Sequence, residues 1–434
     1  MRARLVYATL SLLALALLAA RARAVTYAVT VLNPTGFDYT IGNGISSTNQ
    51  VGWGSGSATS DYQHALLWNG TSQSVVDLNP LAGGWSYAVA TAGNSQVGWG
   101  YGPTTNGDDH AFLWLGTAAS AVDLHPSGYN GSQALDISGN TQVGSARSGD
   151  FSHAMLWTGT AASAVDLHPP GFAGTVAYSV SGSTQVGTGG GPSTGNNVHA
   201  LLWTGTAASK VDLHPAGFTT STAYGVSGTI QVGQGAGPST GNTDHALLWQ
   251  GTAASFVDLH PAGFTLSTAL AASAAGQVGG AGTIDEGHAI LWHGTAASAV
   301  DLHQYLSFLG NVTDSQASDI NDDGVIFGTI TLDNFESRAV IWTPLAESGV
   351  AGDYNNNGIV DTADYIAWRK NTHPLFNEVA TIGSATAQDY TEWRKRFGNT
   401  PAGGTLDGIA IPEPSTLALV AMLIVAILAI KRAP

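Results

Sequence analysis

The chain of 434 residues has no cysteine, only 3 Met, and only 14 Lys and Arg against 30 Asp and Glu. Without cysteine there is no disulfide, no thiol nucleophile and no thiolate metal site. The scarcity of basic residues, with a formal charge of −16, excludes nucleic acid as a partner, because phosphates are neutralised by clustered Lys and Arg. A sustained 3.6-residue apolar period is missing as well, which argues against a helical body. Glycine is abundant, at 56 positions, alongside 12 Trp and 44% hydrophobic residues. With Thr, Val and Ser between the glycines, this composition predicts short strands joined by tight turns. At roughly 150 residues per domain, the length predicts two to three domains.

The middle of the chain repeats. The segment His-Ala-x-Leu-Trp starts at His64, His110, His153, His199, His245 and His288, and a seventh copy is Arg338-Ala339-Val340-Ile341-Trp342. Each of the first six follows a Gln-Val-Gly segment (Gln50, Gln96, Gln142, Gln185, Gln231, Gln277) and precedes a Val-Asp-Leu segment. The first six start 43 or 46 residues apart, and one loop, between the Gln-Val-Gly glycine and the histidine, absorbs the difference. Four short strands per unit, such as Ala223 to Ser227, Ile230 to Gly233, His245 to Trp249 and Phe256 to Leu259, match a β-propeller blade. After Trp342 the fourth strand is missing. Thr30 to Phe37 resembles Val211 to Phe218 and supplies it from the other end of the repeats. The fold class is therefore all-β, a seven-bladed β-propeller closed by its N-terminal strand and followed by a small α-helical calcium-loop module. Closure would place Ala28 to Leu32 beside Arg338 to Trp342.

Histidines in register invite a metal or catalytic reading, but their spacing points to structural pairs. Each lies the same distance ahead of an aspartate: His64 and Asp77, His110 and Asp123, His153 and Asp166, His199 and Asp212, His245 and Asp258, His288 and Asp301. A hairpin with a four-residue loop, such as Asn69 to Ser72, would set the two side chains opposite each other, about 5 Å apart. In the seventh unit both partners change, to Arg338 and Val31. Trp68, Trp114, Trp157, Trp203, Trp249, Trp292 and Trp342 are expected to pack between blades. A binding face would combine the variable loops (Thr104 to Asp109, Pro192 to Asn197, Pro238 to Asp244) with His-Pro-x-Gly-aromatic turns such as His214 to Phe218. Sugar or peptide binding and plain loop packing both remain open for it. Asp136 and Asp319, in first strands of different blades, could face the channel as an ion site or an acid/base pair.

The segments His110-Ala111-Phe112-Leu113-Trp114 and Asn321-Asp322-Asp323-Gly324 resemble the HAF family of extracellular repeats, over about residues 25–345. That resemblance implies export and repetition but supplies no catalytic residue. Beyond it, Asp353-Tyr354-Asn355-Asn356-Asn357-Gly358-Ile359-Val360-Asp361-Thr362-Ala363-Asp364 has calcium-loop spacing. Its ligands would be Asp353, Asn355, Asn357, the Ile359 carbonyl, Asp361 and Asp364, with Gly358 at the sharp turn. Asp364-Tyr365-Ile366-Ala367-Trp368-Arg369-Lys370 recurs as Asp389-Tyr390-Thr391-Glu392-Trp393-Arg394-Lys395. This duplicated loop-helix unit over residues 350–400 resembles dockerin type I, a family whose paired calcium loops brace two helices that dock onto a cohesin. The second loop would use Glu378, Ala380, Ile382, Thr386 and Asp389. Two of these are aliphatic, so one Ca2+ is expected.

Residues 1–24 read as a signal peptide: Arg2 and Arg4, an apolar stretch, and a cut after Ala24. After a linker (401–411), residues 412–434 carry Pro412-Glu413-Pro414, an apolar run from Leu417 to Ile430 and a basic end. They resemble a PEP-CTERM sorting signal, which implies a bacterial envelope protein and an exosortase-type enzyme acting on a membrane-held tail. The combined expectation is a non-enzymatic exported envelope protein, a propeller scaffold for binding or interaction with a calcium-braced dockerin-like module. Its partners would be a cohesin-like protein or an envelope polysaccharide. Two alternatives are a dockerin-borne subunit of a cohesin-based, polysaccharide-degrading assembly and a glycan-active propeller enzyme. The last requires non-repeating carboxylates gathered in one pocket.

Overall fold

The computed structural model describes residues 27–283, 286–345, 350–355, 358–370, 377 and 386–400. The expected signal peptide with its cut at Ala24, the linker 401–411 and the sorting motif Pro412, Glu413 and Pro414 lie outside the described residues, as do Asn357 and Glu378, Ala380 and Ile382. Among the described residues no helix is long and apolar enough to cross a membrane. The repeats, through Pro344, form one compact unit and the segment from Leu345 belongs to another.

The repeat unit is a seven-bladed propeller of antiparallel four-stranded sheets. The fifth blade is typical: Thr220–Ser227, Ile230–Ala236, His245–Trp249 and Val257–Asp258. The seventh combines Val312–Ile320, Ile326–Leu332 and Ser337–Pro344 with Tyr27–Leu32, which pairs antiparallel so that Tyr27 lies opposite Pro344 and Leu32 opposite Ala339.

Each letter of the Gln-Val-Gly segment has a physical cause. The glutamine is buried, and its side-chain oxygen accepts the backbone N–H that follows the third strand, as Gln231 does for Gly251 at 2.6 Å. The valine is fully buried in all six units that carry it. The glycine faces a bulge in the first strand, where the register shifts between Ala223 and Gly225. A Cβ on Gly233 would lie 1.9 Å from the Thr222 carbonyl oxygen, so any side chain would force the bulge apart. The bulge turns the residue within it, Tyr224 in this blade, toward the axis.

The seven repeat tryptophans are fully buried. Trp114 of the second blade packs with Val51, Leu67 and Leu78 of the first, and Trp68 of the first with Phe327 of the seventh. These rings form the inter-blade core, as expected from their spacing.

The connection from third to fourth strand is longer than the anticipated four-residue loop. It runs from Asn69 to Val75 and contains a single 3-10 turn, Ser72–Ser74. Consequently Asp77 stands opposite Leu66, and His64 is reached along the diagonal.

The C-terminal unit holds two helices, α1 (Thr362–Arg369) and α2 (Ala387–Arg396). They share a small core of Val350, Tyr354, Val360 and Trp393 with Tyr365, Trp368 and Tyr390. Each helix begins at a capping residue, Asp361 and Thr386, whose side chain accepts the N–H two residues on. Such caps satisfy donors that the first turn leaves unpaired.

Candidate functional site

All six expected histidine–aspartate pairs are in contact. The Nδ1–Oδ2 distances are 2.7 Å for His64–Asp77 and His110–Asp123, and 2.8 Å for His153–Asp166, His245–Asp258 and His288–Asp301. For His199–Asp212 the distance is 2.9 Å. The other carboxylate oxygen accepts the N–H of the residue two further on, such as His214 for Asp212 at 2.9 Å. In five blades that residue is a second histidine stacked flat on the first, with ring centroids 3.8 Å apart for His199–His214. The Nδ1 of His214 meets Ser221 Oγ at 2.8 Å, and that oxygen accepts the Ala200 N–H at 3.0 Å. The turn histidines thus stitch one blade to the next. Burial, and then the neighbouring imidazole, hold His125, His168, His214, His260 and His303 below the usual histidine range. These histidines serve loop packing, the blander of the two readings of that face. The second histidine's place in the stack was not foreseen, although its fixed two-residue offset from the aspartate was in the sequence.

The axis of the propeller is different. A cavity of about 360 Å3 is lined by corresponding first-strand residues from all seven blades, which identifies it as part of the central channel. The positions just after each bulge are small in five blades: Gly44, Ala90, Ser179, Gly225 and Ala271. Asp136 in the third blade and Asp319 in the seventh break that pattern. Asp136 accepts from Ser179 Oγ at 2.7 Å and from the Val180 and Ile137 N–H groups. Asp319 accepts from the Ile45 and Ile320 N–H groups, both at 2.8 Å.

Each side chain keeps some surface open to the channel yet is surrounded by protein. Burial pushes Asp136 up to about 6 against the pull of its hydrogen bonds. Burial, aided by the charge of Asp136, pushes Asp319 up to about 7. Both carboxyls are thus held above the usual carboxylate range, Asp319 more than Asp136, an arrangement suited to one group donating a proton while the other accepts one.

A larger cavity, about 480 Å3, opens beside the sixth, seventh and first blades, with Thr268, Asp314, Gln316, Thr329 and Ile41 in its wall. On the first and second blades this layer of the sheets carries aromatic rings, among them Trp53, Tyr87 and Trp99. Sequence reasoning passed over them. The signal was the tryptophan directly after Gln-Val-Gly at Trp53 and Trp99 and nowhere else.

In the C-terminal unit, Asp353 Oδ2 accepts the Gly358 N–H at 2.6 Å, and Asp364 accepts from the N–H groups of Asn355 and Asp361. Burial, then the charges of Asp353 and Asp361, push Asp364 up to about 7. Asp353, Asp361 and Asp364, with Asn355 and Ile359, are the members of the expected calcium loop that lie among the described residues. Among the described residues, no group of three acidic or imidazole side chains is gathered as a ready metal cluster.

No protein-family profile and no curated protein matches the chain. Among solved structures, it resembles the propeller domain of the Trilobed protease from Pyrococcus furiosus (TM-score 0.48, 6% identity, 70% of this chain and 95% of that one). It also resembles Pyrococcus horikoshii acylaminoacyl peptidase (TM-score 0.46, 9% identity, 70% and 51%) and a puromycin hydrolase (TM-score 0.41, 13% identity, 72% and 52%). The chain thus spans about half the length of those two enzymes. At such identities the likeness describes the fold.

One expectation is corrected here. The expectation that the propeller is a non-enzymatic scaffold does not stand. The solved structures it resembles include peptidases and a hydrolase, and a likeness of fold alone gives no ground for excluding catalysis. The absence of gathered carboxylates, which had weighed against an enzyme, is also reversed by Asp136 and Asp319 in one cavity.

Proposed function

We propose that the chain is a glycan-active hydrolase whose reacting groups are Asp136 and Asp319 in the central channel. The supporting observation is that the only two departures to aspartate in a ring of small residues face one cavity. Hydrolysis of a glycosidic bond needs one carboxyl to protonate the leaving oxygen and one carboxylate to activate water or to attack. Asp319, with the higher affinity for its proton, is the donor; Asp136 is the carboxylate. The C–O bond breaks as the donor's proton reaches the leaving sugar, and water supplies the new hydroxyl.

Motifs in the sequence set this activity in the bacterial envelope: a signal peptide (1–24), HAF-type repeats, a PEP-CTERM tail (412–434) and a dockerin-like module. One Ca2+ held by Asp353, Asn355, Asn357, Ile359, Asp361 and Asp364 would brace that module.

The test is release of reducing ends from a panel of plant, algal and bacterial polysaccharides. Wild type should act on at least one, with a bell-shaped pH profile whose limbs belong to the coupled pair. Asp319→Ser and Asp136→Ser, which copy Ser179 of the fourth blade, should fold and be inactive. Full activity in either variant, or none in wild type across the panel, overturns the reading.

A further inference from the structure

The aromatic rings of the first two blades have no structural need to be there. The second blade sets Trp85 opposite Tyr101 and Tyr87 opposite Trp99. Both pairs stack, with centroids 4.9 Å and 4.2 Å apart. Trp53 of the first blade abuts Tyr87 edge-on at 5.4 Å, and Tyr39 abuts Trp53 at 5.6 Å. All six rings are only partly buried. The third blade builds the same sheet with Gly131 opposite Arg147 and Gln133 opposite Ser145, and the fourth with Gly174 opposite Gly190 and Val176 opposite Thr188. A propeller that closes without aromatics at these positions does not require them for closure. A contiguous, partly exposed aromatic surface confined to one arc marks a recognition site.

Its chemistry narrows the ligand. The ledge has polar fixtures: Gln63 donates to the Tyr39 hydroxyl at 2.9 Å and accepts from that of Tyr87. Among the described residues of the propeller, each basic side chain already has a partner. Arg338 pairs with Glu336, Arg147 with Asp108 at 3.6 Å, and Lys210 lies over the Phe172 ring at 5.1 Å. These are the three basic residues of 25–345, against 21 acidic ones. Flat rings with hydroxyl and amide partners in an acidic field suit a molecule with apolar faces, many hydroxyls and no negative charge. The ledge also leads to the carboxylates. The layer of Tyr87 corresponds to Gln133, which lies opposite Ser145, while Asp136 beyond the bulge lies opposite Val143, so the two layers are separated by about 7 Å at strand rise.

We propose that Tyr39, Trp53, Trp85, Tyr87, Trp99 and Tyr101 form a stacking subsite for a neutral polysaccharide, which enters the channel from this ledge. The assignment rests on the hydrolase reading for its direction, while binding at the ledge stands apart from the chemistry.

The experiment measures binding of cellohexaose, xylohexaose and hexagalacturonate to the full chain by calorimetry and tryptophan fluorescence. At least one neutral hexasaccharide should bind and the acidic one should not. Trp99→Thr and Trp53→Thr, which copy Thr188 and Thr329 of other blades, should fold and bind about tenfold more weakly, the loss typical of removing one stacked ring. The Asp136→Ser/Asp319→Ser chain should bind as wild type does. Unchanged affinity in both tryptophan variants, preference for hexagalacturonate, or no binding of either neutral sugar overturns the subsite. Binding that depends on the tryptophans in a chain that hydrolyses nothing would sink the hydrolase reading and leave the ledge standing. Hydrolysis with a KM unchanged by Trp99→Thr would do the reverse.

Discussion

Asp212 accepts from His199 through one carboxylate oxygen and from the backbone N–H of His214 through the other. One side chain therefore fixes a strand, a turn and, through His214 and Ser221, the following blade. Asp212→Ala is expected to lower stability by about 1–2 kcal/mol, a modest figure because the carboxylate is partly solvated. Thermal denaturation checks it; an unchanged midpoint would leave the pair without a structural role.

Five stacked imidazole pairs make the fold sensitive to acid. His125, His168, His214, His260 and His303 are held below the ordinary value of 6.5. The unfolded chain therefore binds these protons more readily than the folded one. Their contribution to stability is present above pH 6.5 and is lost as the pH falls below it. Asp136 and Asp319, raised to about 6 and 7, act in the opposite sense: their unfavourable contribution grows as pH rises from the carboxylate range through those values. The first blade supplies a natural control, since Asn79 there reaches the Nε2 of His64 at 3.0 Å. His214→Asn should fold, and its midpoint should drop less between pH 7.5 and pH 5.5 than that of wild type. An identical drop would assign the acid response elsewhere.

Closure of the ring is open to a covalent test because the chain has no cysteine of its own. Ala28 and Thr343 are exposed and directly opposed across the seventh blade. Ala28→Cys/Thr343→Cys should form an intramolecular disulfide on oxidation, and the bridge should stabilise the propeller by about 2–4 kcal/mol. Free thiols after oxidation would place the N-terminal strand elsewhere.

Calcium is expected to bind once per chain, in the loop that begins at Asp353. Calorimetric titration of the full chain should give a stoichiometry near one, and Asp353→Ala with Asp361→Ala should abolish it. A second equivalent of the same affinity would mean that the degenerate loop ending at Asp389 also binds.

The architecture was legible because the repeat was. A fixed unit with one variable loop told the number of blades, and the orphaned strand Thr30 to Phe37 told how the ring could close. The loop from Asn69 to Val75 was misjudged because small polar residues do not announce a 3-10 turn in a sequence. The channel carboxylates were visible as equivalent positions in two first strands. Their facing the channel was legible from that equivalence, whereas the bulge that sets them there leaves only the glycine opposite it as a trace. The ledge was missed for a different reason. Attention to what recurs hides what departs from recurrence, and Trp53 and Trp99 are informative because five other blades have something else.

The propeller's first described residue, Tyr27, and its last, Pro344, are partners in the same ladder. Any pull on the chain outside these two points would be carried by a single blade, unzipping six residue pairs one after another from the Tyr27–Pro344 end while the other six blades stay out of the line of force. Mechanical rupture would thus begin between Tyr27–Leu32 and Ser337–Pro344, and the channel would open at the blade that carries Asp319.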